Sequence, residues 1–311
     1  MPDHLKRVSE LWARFNEVAI QNPNAWIQDA FTAEEIRTPT DANRRISFPY
    51  TKMMNANMAV DMGAAIILCS VEKARELRIP EEKWVYPLAG VQGYDHFSAS
   101  VRDNFHSSPG LGLVGKRVME LAKVSPEEVD YVDLYSCFPS AVQIAARELG
   151  FSEERQLTVT GGLTFGGGPL NNYVMHAVAR TVELLRKAPG KKAFVSANGG
   201  NLYKHVHCVY SSQAPEEPYQ YENIQQEIDA LPSRICLPEY DGKVEVESYS
   251  VMYTGEQPAI AHCSGITSDG ARVWSNCYDE DVLHDMTRME FCGSTAAVSY
   301  THLTLPTKRI V

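Results

Sequence analysis

Apolar and polar positions follow two different periods along the chain, most clearly between residues 131 and 205. Short β-branched or aromatic runs at 131–135, 157–160 and 193–197 predict buried strands. Helical patterns at 140–149 and from 169 to about 185 follow the first two runs. Strands that lead into helices through small-residue turns place those turns at the carboxyl ends of a sheet. We therefore expect an α/β fold whose functional site lies at these turns.

The flanking sequence predicts further elements. An apolar face between Leu5 and Ala19 predicts an amphipathic helix. Residues 56–77 begin with small side chains and end as a good helix former, which predicts a segment buried between layers. A strand is predicted at 84–92. Three strand-like runs from residue 244 onward, followed by a helical pattern at 279–290, predict a small β-rich C-terminal appendage.

These elements divide the chain into five predicted segments. They are an N-terminal helix and loop region (1–52), an α/β domain (53–212), a Pro-, Glu- and Gln-rich linker or peripheral helix (213–232), the β-rich domain (233–296) and a final segment (297–311). The final segment resembles the translation of a sequencing-library adapter, so it does not enter the fold prediction.

Composition and charge exclude several classes of function. The chain is 44% hydrophobic and 22% charged, which is typical of a globular protein. Its net charge of -10 argues against a nucleic-acid or anionic-membrane surface, which needs clustered Lys and Arg. No apolar run approaches the ~20 residues of a membrane span. The 7 cysteines are scattered and form no C-x-x-C motif, which favours reduced thiols in the cytoplasm.

Cys137 is the first candidate for chemistry, because it follows a predicted buried strand and precedes a helix. The positive end of the helix dipole there would lower the pKa of the thiol and favour a reactive thiolate. An inert buried cysteine is the alternative. Farther along, His205 and His207 would share one face of a strand. A metal site would need further ligands in a matching pattern, and none is present in the sequence.

Two other groups leave alternatives open. The glycine-rich turn at 161–168 precedes Pro169 and could present backbone N–H groups to an anion, or it could serve close packing only. It matches neither a Walker loop nor a dinucleotide fingerprint. Arg44, Arg45 and Lys52 form a small basic group, which is either a solvated loop or a phosphate contact.

The order of these segments resembles the C-terminal half of a thiolase. Four motifs carry the resemblance: Asn57-x-x-x-Asp61-x-Gly63-Ala64-Ala65, the run VDLYSCF from Val132 to Phe138, Gly161-Gly162-Leu163 through Gly167-Gly168-Pro169-Leu170, and Ala197-Asn198-Gly199-Gly200. The β-rich appendage resembles the extra C-terminal domain of thiolase-like proteins of type 1, often named acetyl-CoA acetyltransferases. The resemblance implies a layered α/β/α thiolase-like domain with part of the loop domain. It also implies that the thiolase N-terminal half, with its acyl-accepting cysteine, is not in this chain.

The sequence departs from the thiolase motifs at reactive positions. Gly168 stands where thiolases carry the histidine that activates the nucleophile, and Ala197 stands where they carry a cysteine. Tyr135 occupies the oxyanion-hole position. Cys137 alone matches a reactive residue, the base-side cysteine of the sterol-carrier-type enzymes.

The resemblance implies thiolase-like acyl-CoA acyltransfer, of the acetyl-CoA acetyltransferase type or its reverse. The alternative is a CoA-binding protein without catalysis. Cys137 and His205 are the expected catalytic residues. No bound cofactor is expected, because CoA or acyl-CoA would be the substrate, and a homodimer is a possible assembly. The expected CoA-binding residues are Arg44, Arg45, Lys52, Gly166, Gly167, Gly168, Asn198 and Gly199.

Overall fold

A computed structural model describes residues 2–299 and 302–304. The helices are α1 (Pro2–Gln21), α2 (Ala33–Arg37), α3 (Val71–Glu76), α4 (Pro109–Ala122), α5 (Pro139–Leu149), α6 (Tyr173–Lys187), α7 (Gln225–Asp229) and α8 (Glu280–Met286). The strands are β1 (Arg45–Phe48), β2 (Tyr50–Thr51), β3 (Tyr86–Tyr94), β4 (Tyr131–Asp133), β5 (Lys192–Gly199), β6 (Lys204–Ser211), β7 (Gln220–Asn223), β8 (Asp241–Thr254), β9 (Gln257–Ile266), β10 (Arg272–Cys277), β11 (Thr295–Ser299) and β12 (His302–Thr304). The predicted α/β fold class is confirmed.

A mixed five-stranded sheet forms the centre of the α/β domain, in the order β4-β5-β6-β3-β7. The strands β4 and β5 are parallel, whereas β6 runs antiparallel to both of its neighbours. One apolar cluster joins this sheet to side chains of α1, α4 and α5, and a second cluster joins β5 to α6. The layers therefore place the carboxyl ends of β4 and β5 side by side.

Local sequence signals explain the helix boundaries around this sheet. Helix α5 begins with Pro139 in its first turn and ends at Gly150, whose φ of 74° is easily reached only by glycine. Helix α6 begins at Tyr173, a few residues after the predicted start at Pro169, because Leu170–Asn172 first form a 3-10 turn.

The C-terminal strands form a separate seven-stranded sheet, in the order β11-β12-β10-β9-β8-β1-β2. The hairpin β1–β2 comes from the N-terminal region and pairs with β8 through Ser47 and Phe48. Arg272 on β10 is fully buried and forms a two-pronged ion pair with Glu247, at 2.6 and 2.7 Å. Its guanidinium also donates to the backbone carbonyl of Ser100 at 2.9 Å. This arginine therefore ties the β-rich domain to the loop after β3.

Two local predictions, for residues 157–160 and 56–77, were wrong. Residues 157–160 form no strand, although Leu134 N donates to Leu157 O at 2.9 Å. Only Val71–Glu76 of the segment 56–77 is helical, and the rest lies at the surface rather than between layers. The segment 213–232, predicted as a linker or a peripheral helix, contains β7 and the short helix α7. Of the final segment 297–311, residues 297–299 and 302–304 lie in β11 and β12, and the remaining residues lie outside the described part of the chain.

Candidate functional site

Cys137 lies just beyond the end of β4, two residues before α5 begins. Its sulfur is 3.9 Å from the amide nitrogen Nδ2 of Asn198, which lies near the end of the neighbouring strand β5. The Cys137 carbonyl accepts a hydrogen bond from Ala56 N at 3.1 Å. The Asn198 carbonyl oxygen Oδ1 is buried and has no hydrogen-bond partner among the described residues. The fold therefore brings together two of the predicted site residues.

Burial, rather than the helix dipole, dominates the chemistry of the Cys137 thiol. Burial raises its pKa to about 11, although hydrogen bonding from the backbone of Phe138 acts in the opposite direction. The expectation of a lowered pKa was therefore wrong, because the thiolate would have to lie in apolar surroundings. Cys137 holds its proton at neutral pH.

Aromatic side chains from three elements surround this cysteine. The ring of Tyr50, on β2, stacks on Phe138 with a centroid distance of 6.3 Å. The Tyr50 hydroxyl accepts a hydrogen bond from Ser140 N, in the first turn of α5, at 3.2 Å. Tyr135 packs edge-on against Tyr173, and burial raises the pKa of both Tyr50 and Tyr135. Tyr50 was not predicted from the sequence, since nothing near it in the chain points to Cys137.

The glycine turn is buried throughout residues 161–168. Its backbone groups are largely used within the fold: Gly168 N donates to Asn57 O at 2.9 Å, and Gly166 O accepts from Trp26 N at 3.1 Å. Gly167 has a φ of 105°, and a Cβ there would lie 2.4 Å from Met62 Sδ. The turn therefore needs glycine for close packing against its neighbours.

Asp133, a buried carboxylate on β4, accepts hydrogen bonds from the residues that lead into this turn. Its Oδ2 accepts hydrogen bonds from Thr158 Oγ1 and Val159 N, both at 2.9 Å, and its Oδ1 accepts from Tyr173 OH at 2.9 Å. Thr158 Oγ1 in turn accepts from Gly161 N and Gly162 N. Burial raises the pKa of Asp133 to about 6, although these hydrogen bonds act in the opposite direction.

The sequence prediction did not include this network, although a signal for it was present. A carboxylate stands inside an apolar strand run at Val132-Asp133-Leu134, and threonines alternate at 158 and 160. A buried charge requires donors, and two hydroxyls on one side of an extended segment can supply them.

A cleft of about 370 Å³ opens beside the turn, next to α6. Its lining includes Gly167, Tyr173, His176 and Arg180. Arg180 Nη1 pairs with Glu183 at 2.6 Å, whereas its Nε is buried without a hydrogen-bond partner among the described residues.

The predicted basic group lies on the β1–β2 hairpin and just beyond it. Lys52 N donates to Arg44 O at 2.9 Å, so the two residues are neighbours, and both side chains are exposed. Arg45 is less available, because its guanidinium lies over the ring of Tyr253, 5.6 Å from the centroid. Gly199 ends β5 one residue after Asn198.

His205 is fully buried near the start of β6, and it lies opposite Asn198 in the pairing of β6 with β5. Its Nε2 is 3.1 Å from Asp95 Oδ2 and 3.2 Å from Ser108 Oγ, the residue that precedes α4. Within residues 2–299, none of its hydrogen bonds leads to Cys137. In the same range, no three His, Cys, Asp or Glu side chains are grouped as metal ligands would be.

Comparison with known proteins shows which family has this architecture. A monomeric SCP2-thiolase-like protein type 1 from Mycobacterium smegmatis superposes with a TM-score of 0.89 and 33% sequence identity, over 98% of this chain and 68% of that chain. The chain belongs to the SCP2-thiolase-like protein type 1 family. The model of the thiolase-like protein type 1 additional C-terminal domain matches residues 223–302 of this family member.

More distant relatives share the thiolase-like character. An acetyl-CoA acetyltransferase from Methanothermobacter thermautotrophicus is 24% identical over 202 residues, which is 60% of this chain and 51% of that protein. An acetyl-CoA acetyltransferase from Methanocaldococcus jannaschii is 26% identical over 103 residues, which is 33% of this chain and 26% of that protein. This thiolase-like chain therefore spans about half, or less, of the curated relatives that it matches. None of its helices in the described part is long and apolar enough to cross a membrane.

Proposed function

We propose that this thiolase-like protein binds acyl-CoA and takes part in acyl transfer of the acetyl-CoA acetyltransferase type or its reverse, in the cytoplasm. The observation that carries the proposal is the position of the Cys137 thiol beside the Asn198 amide, where two parallel strands end. Relatives named acetyl-CoA acetyltransferases support the class of substrate.

The raised pKa of Cys137 favours proton exchange over nucleophilic attack. A thiol with a pKa of about 11 keeps its proton at neutral pH, and its thiolate is a stronger base than that of an ordinary cysteine. Claisen chemistry requires a proton to leave the α-carbon of one thioester as the new carbon–carbon bond forms. In our proposal Cys137 Sγ–H donates its proton to the α-carbon of the enolate that leaves when the carbon–carbon bond of a 3-oxoacyl thioester breaks, and the resulting thiolate regains a proton from water. In the condensing direction the small fraction of Cys137 that has lost its proton to water takes the α-proton.

The side chains around Cys137 would receive the rest of the substrate. The Asn198 amide could donate a hydrogen bond to the thioester oxygen, where negative charge develops in the enolate. Arg44 and Lys52 are exposed and could bind the CoA phosphates, with Arg45 alongside them. The glycines at 166–168 would form part of the wall of the acyl site, where their lack of a side chain allows close packing. His205 stays a predicted catalytic residue whose described contacts connect it to Asp95 and Ser108.

Hydrogen–deuterium exchange at the acetyl group of acetyl-CoA tests this proposal without requiring a complete transfer reaction. In D₂O, NMR should detect deuterium at the acetyl carbon with the intact chain. Cys137→Ala should slow this exchange at least about a hundredfold, the lower end of the usual contribution of a general base. Cys208→Ala is a matched control, because burial also raises the pKa of that thiol to about 11. Equal exchange rates for Cys137→Ala and the unmodified chain would remove Cys137 from the chemistry.

The alternative function is CoA binding without catalysis. The glycine turn favours this alternative. Gly161, Gly162 and Gly168 already donate their N–H groups within the fold, so these groups are not free to stabilise the charge on a thioester oxygen. Calorimetry with CoA separates the two functions. Binding that depends on Arg44 and Lys52, together with no deuterium exchange at the acetyl group, would support the alternative.

A further inference from the structure

Two buried polar atoms near the loop that joins β5 to β6 have no hydrogen-bond partner among the described residues. They are Oδ1 of Asn198, on β5, and Nδ1 of His205, on β6. Buried polar atoms are rarely left unpaired, and those without a partner in the protein are usually bound by an ordered water. Each of these two atoms therefore indicates a small bound molecule.

The pairing of the two strands places both side chains on one face of the sheet. Asn198 and His205 lie directly opposite each other in the antiparallel register of β5 and β6. The Cβ atoms of such opposite residues lie about 4.5–5.5 Å apart, and their side chains are neighbours. One small molecule between the two side chains can therefore reach both unpartnered atoms.

The partners of the other ring nitrogen decide which hydrogen bonds this molecule must make. His205 Nε2 is 3.1 Å from Asp95 Oδ2 and 3.2 Å from Ser108 Oγ. Although burial acts to raise it, the pKa of Asp95 is lowered by hydrogen bonds from His205 and Ser108, so this carboxylate is ionised. Ser108 Oγ donates its single proton to Asp95 Oδ2 at 2.6 Å. Neither group can donate to Nε2, so Nε2 carries a hydrogen, and in the neutral ring Nδ1 is then an acceptor.

Asn198 Oδ1 is an acceptor as well, so the two atoms cannot bond to each other directly while His205 is neutral. We propose that an internal water lies between Asn198 Oδ1 and His205 Nδ1 and donates one hydrogen bond to each. The nitrogen of the same amide, Nδ2, is 3.9 Å from Cys137 Sγ. A water that holds the amide oxygen keeps this nitrogen directed at the thiol. His205 is therefore a positioning residue for the Cys137 site.

Two substitutions of His205 separate this role from its contact with Asp95. His205→Asn keeps a polar atom near the position of Nδ1 and removes the one that faces Asp95, whereas His205→Gln does the opposite. The measurement is the rate at which iodoacetamide alkylates Cys137 at pH 8, followed by mass spectrometry. His205→Asn should leave this rate unchanged, and His205→Gln should slow it about twofold, as expected when the weak N–H···S contact is lost. The reverse order would show that His205 acts only through Asp95, and it would overturn the proposal.

Two further variants show whether the effect passes through the amide. In an Asn198→Ala background His205→Gln should cause no additional slowing, and equal slowing there would overturn the proposal. His207→Asn is the matched control, because His207 is equally buried on β6 but lies opposite Ser196, and it should leave the rate unchanged. The importance of this contact for catalysis rests on the proposed function, but alkylation uses no acyl-CoA. A failure of deuterium exchange would therefore reject the proposed function alone.

A crystal structure of the unmodified chain tests the water directly and does not depend on any variant. It should show a water about 2.7–3.2 Å from both Asn198 Oδ1 and His205 Nδ1. Direct contact between these two atoms, or the lack of electron density between them, would overturn the proposal.

Discussion

Asp133 and Asp95 are two carboxylates of the α/β domain whose pKa values are shifted in opposite directions. Asp133 is fully buried, and its pKa is raised to about 6. Burial also acts to raise the pKa of Asp95, but hydrogen bonds to His205 and Ser108 outweigh it and lower the pKa below its usual value. Both carboxylates accept several hydrogen bonds, so the number of bonds does not explain the difference.

The difference lies in the depth of burial and in the partners, since Asp133 is fully buried and Asp95 only partly buried. Asp133 accepts hydrogen bonds from hydroxyl groups and a backbone N–H, which remain neutral. Asp95 contacts an imidazole and the backbone N–H of Gly110 in the first turn of α4, and the Arg102 guanidinium also favours its charged form. Neutral donors reduce the free-energy cost of burying a carboxylate's charge. A cationic partner or a helix N-terminus can outweigh that cost, so that the pKa falls below its usual value.

The largest expected effect concerns the free energy of unfolding, whose pH dependence near Asp133 should be removed by Asp133→Asn. Because its pKa is raised from 3.8 when unfolded to about 6 when folded, Asp133 stabilises the protein below pH 4, and this stability is lost as pH rises through 6. The free energy of unfolding of the unmodified chain minus that of the variant should therefore fall by about 2–3 kcal/mol between pH 4 and pH 7. Urea denaturation at each pH measures it.

A matched variant, Tyr173→Phe, keeps the carboxylate and removes one of its donors. Its pH dependence should persist and move to higher pH, because the ionised form of Asp133 loses a hydrogen bond. A flat difference between the unmodified chain and Asp133→Asn from pH 4 to pH 7 would show that water or another donor reaches Asp133.

The sequence predicted the framework around Asp133 but not its partners. Strand β4 and helix α5 followed from local periodicity, which depends on neighbouring residues. Tyr173 and Thr158 lie 40 and 25 residues from Asp133 in the chain, and only the packed fold brings them to one carboxylate. The thiol pKa was mispredicted for the same reason, because burial of Cys137 depends on residues far away in sequence.

Asp95→Asn should show the opposite sign and a smaller effect. Since the folded pKa of Asp95 lies below its unfolded value of 3.8, this carboxylate stabilises the protein above pH 4, and the stability is lost as pH falls through the folded pKa. At neutral pH the variant should lose about 2 kcal/mol, typical of hydrogen bonds to a charged group. Thermal or urea unfolding between pH 3 and pH 7 measures both quantities. A difference that grows as pH falls would contradict the assignment.

Asn198→Ala tests whether a neutral donor also stabilises the ionised form of Cys137. Like Asp133, this thiol is largely buried and has only neutral donors nearby. The N–H···S contact at 3.9 Å is weak, and a bond of this kind contributes about 0.5 kcal/mol, or roughly a twofold change in thiolate population. Alkylation of Cys137 by iodoacetamide, followed by mass spectrometry at pH 8, should therefore slow about twofold. Asn201→Ala, in the exposed loop after β5, should leave the rate unchanged. Faster alkylation of Asn198→Ala would instead show that the amide shields the thiol, and that solvent access, rather than the charge of its partners, controls its reactivity.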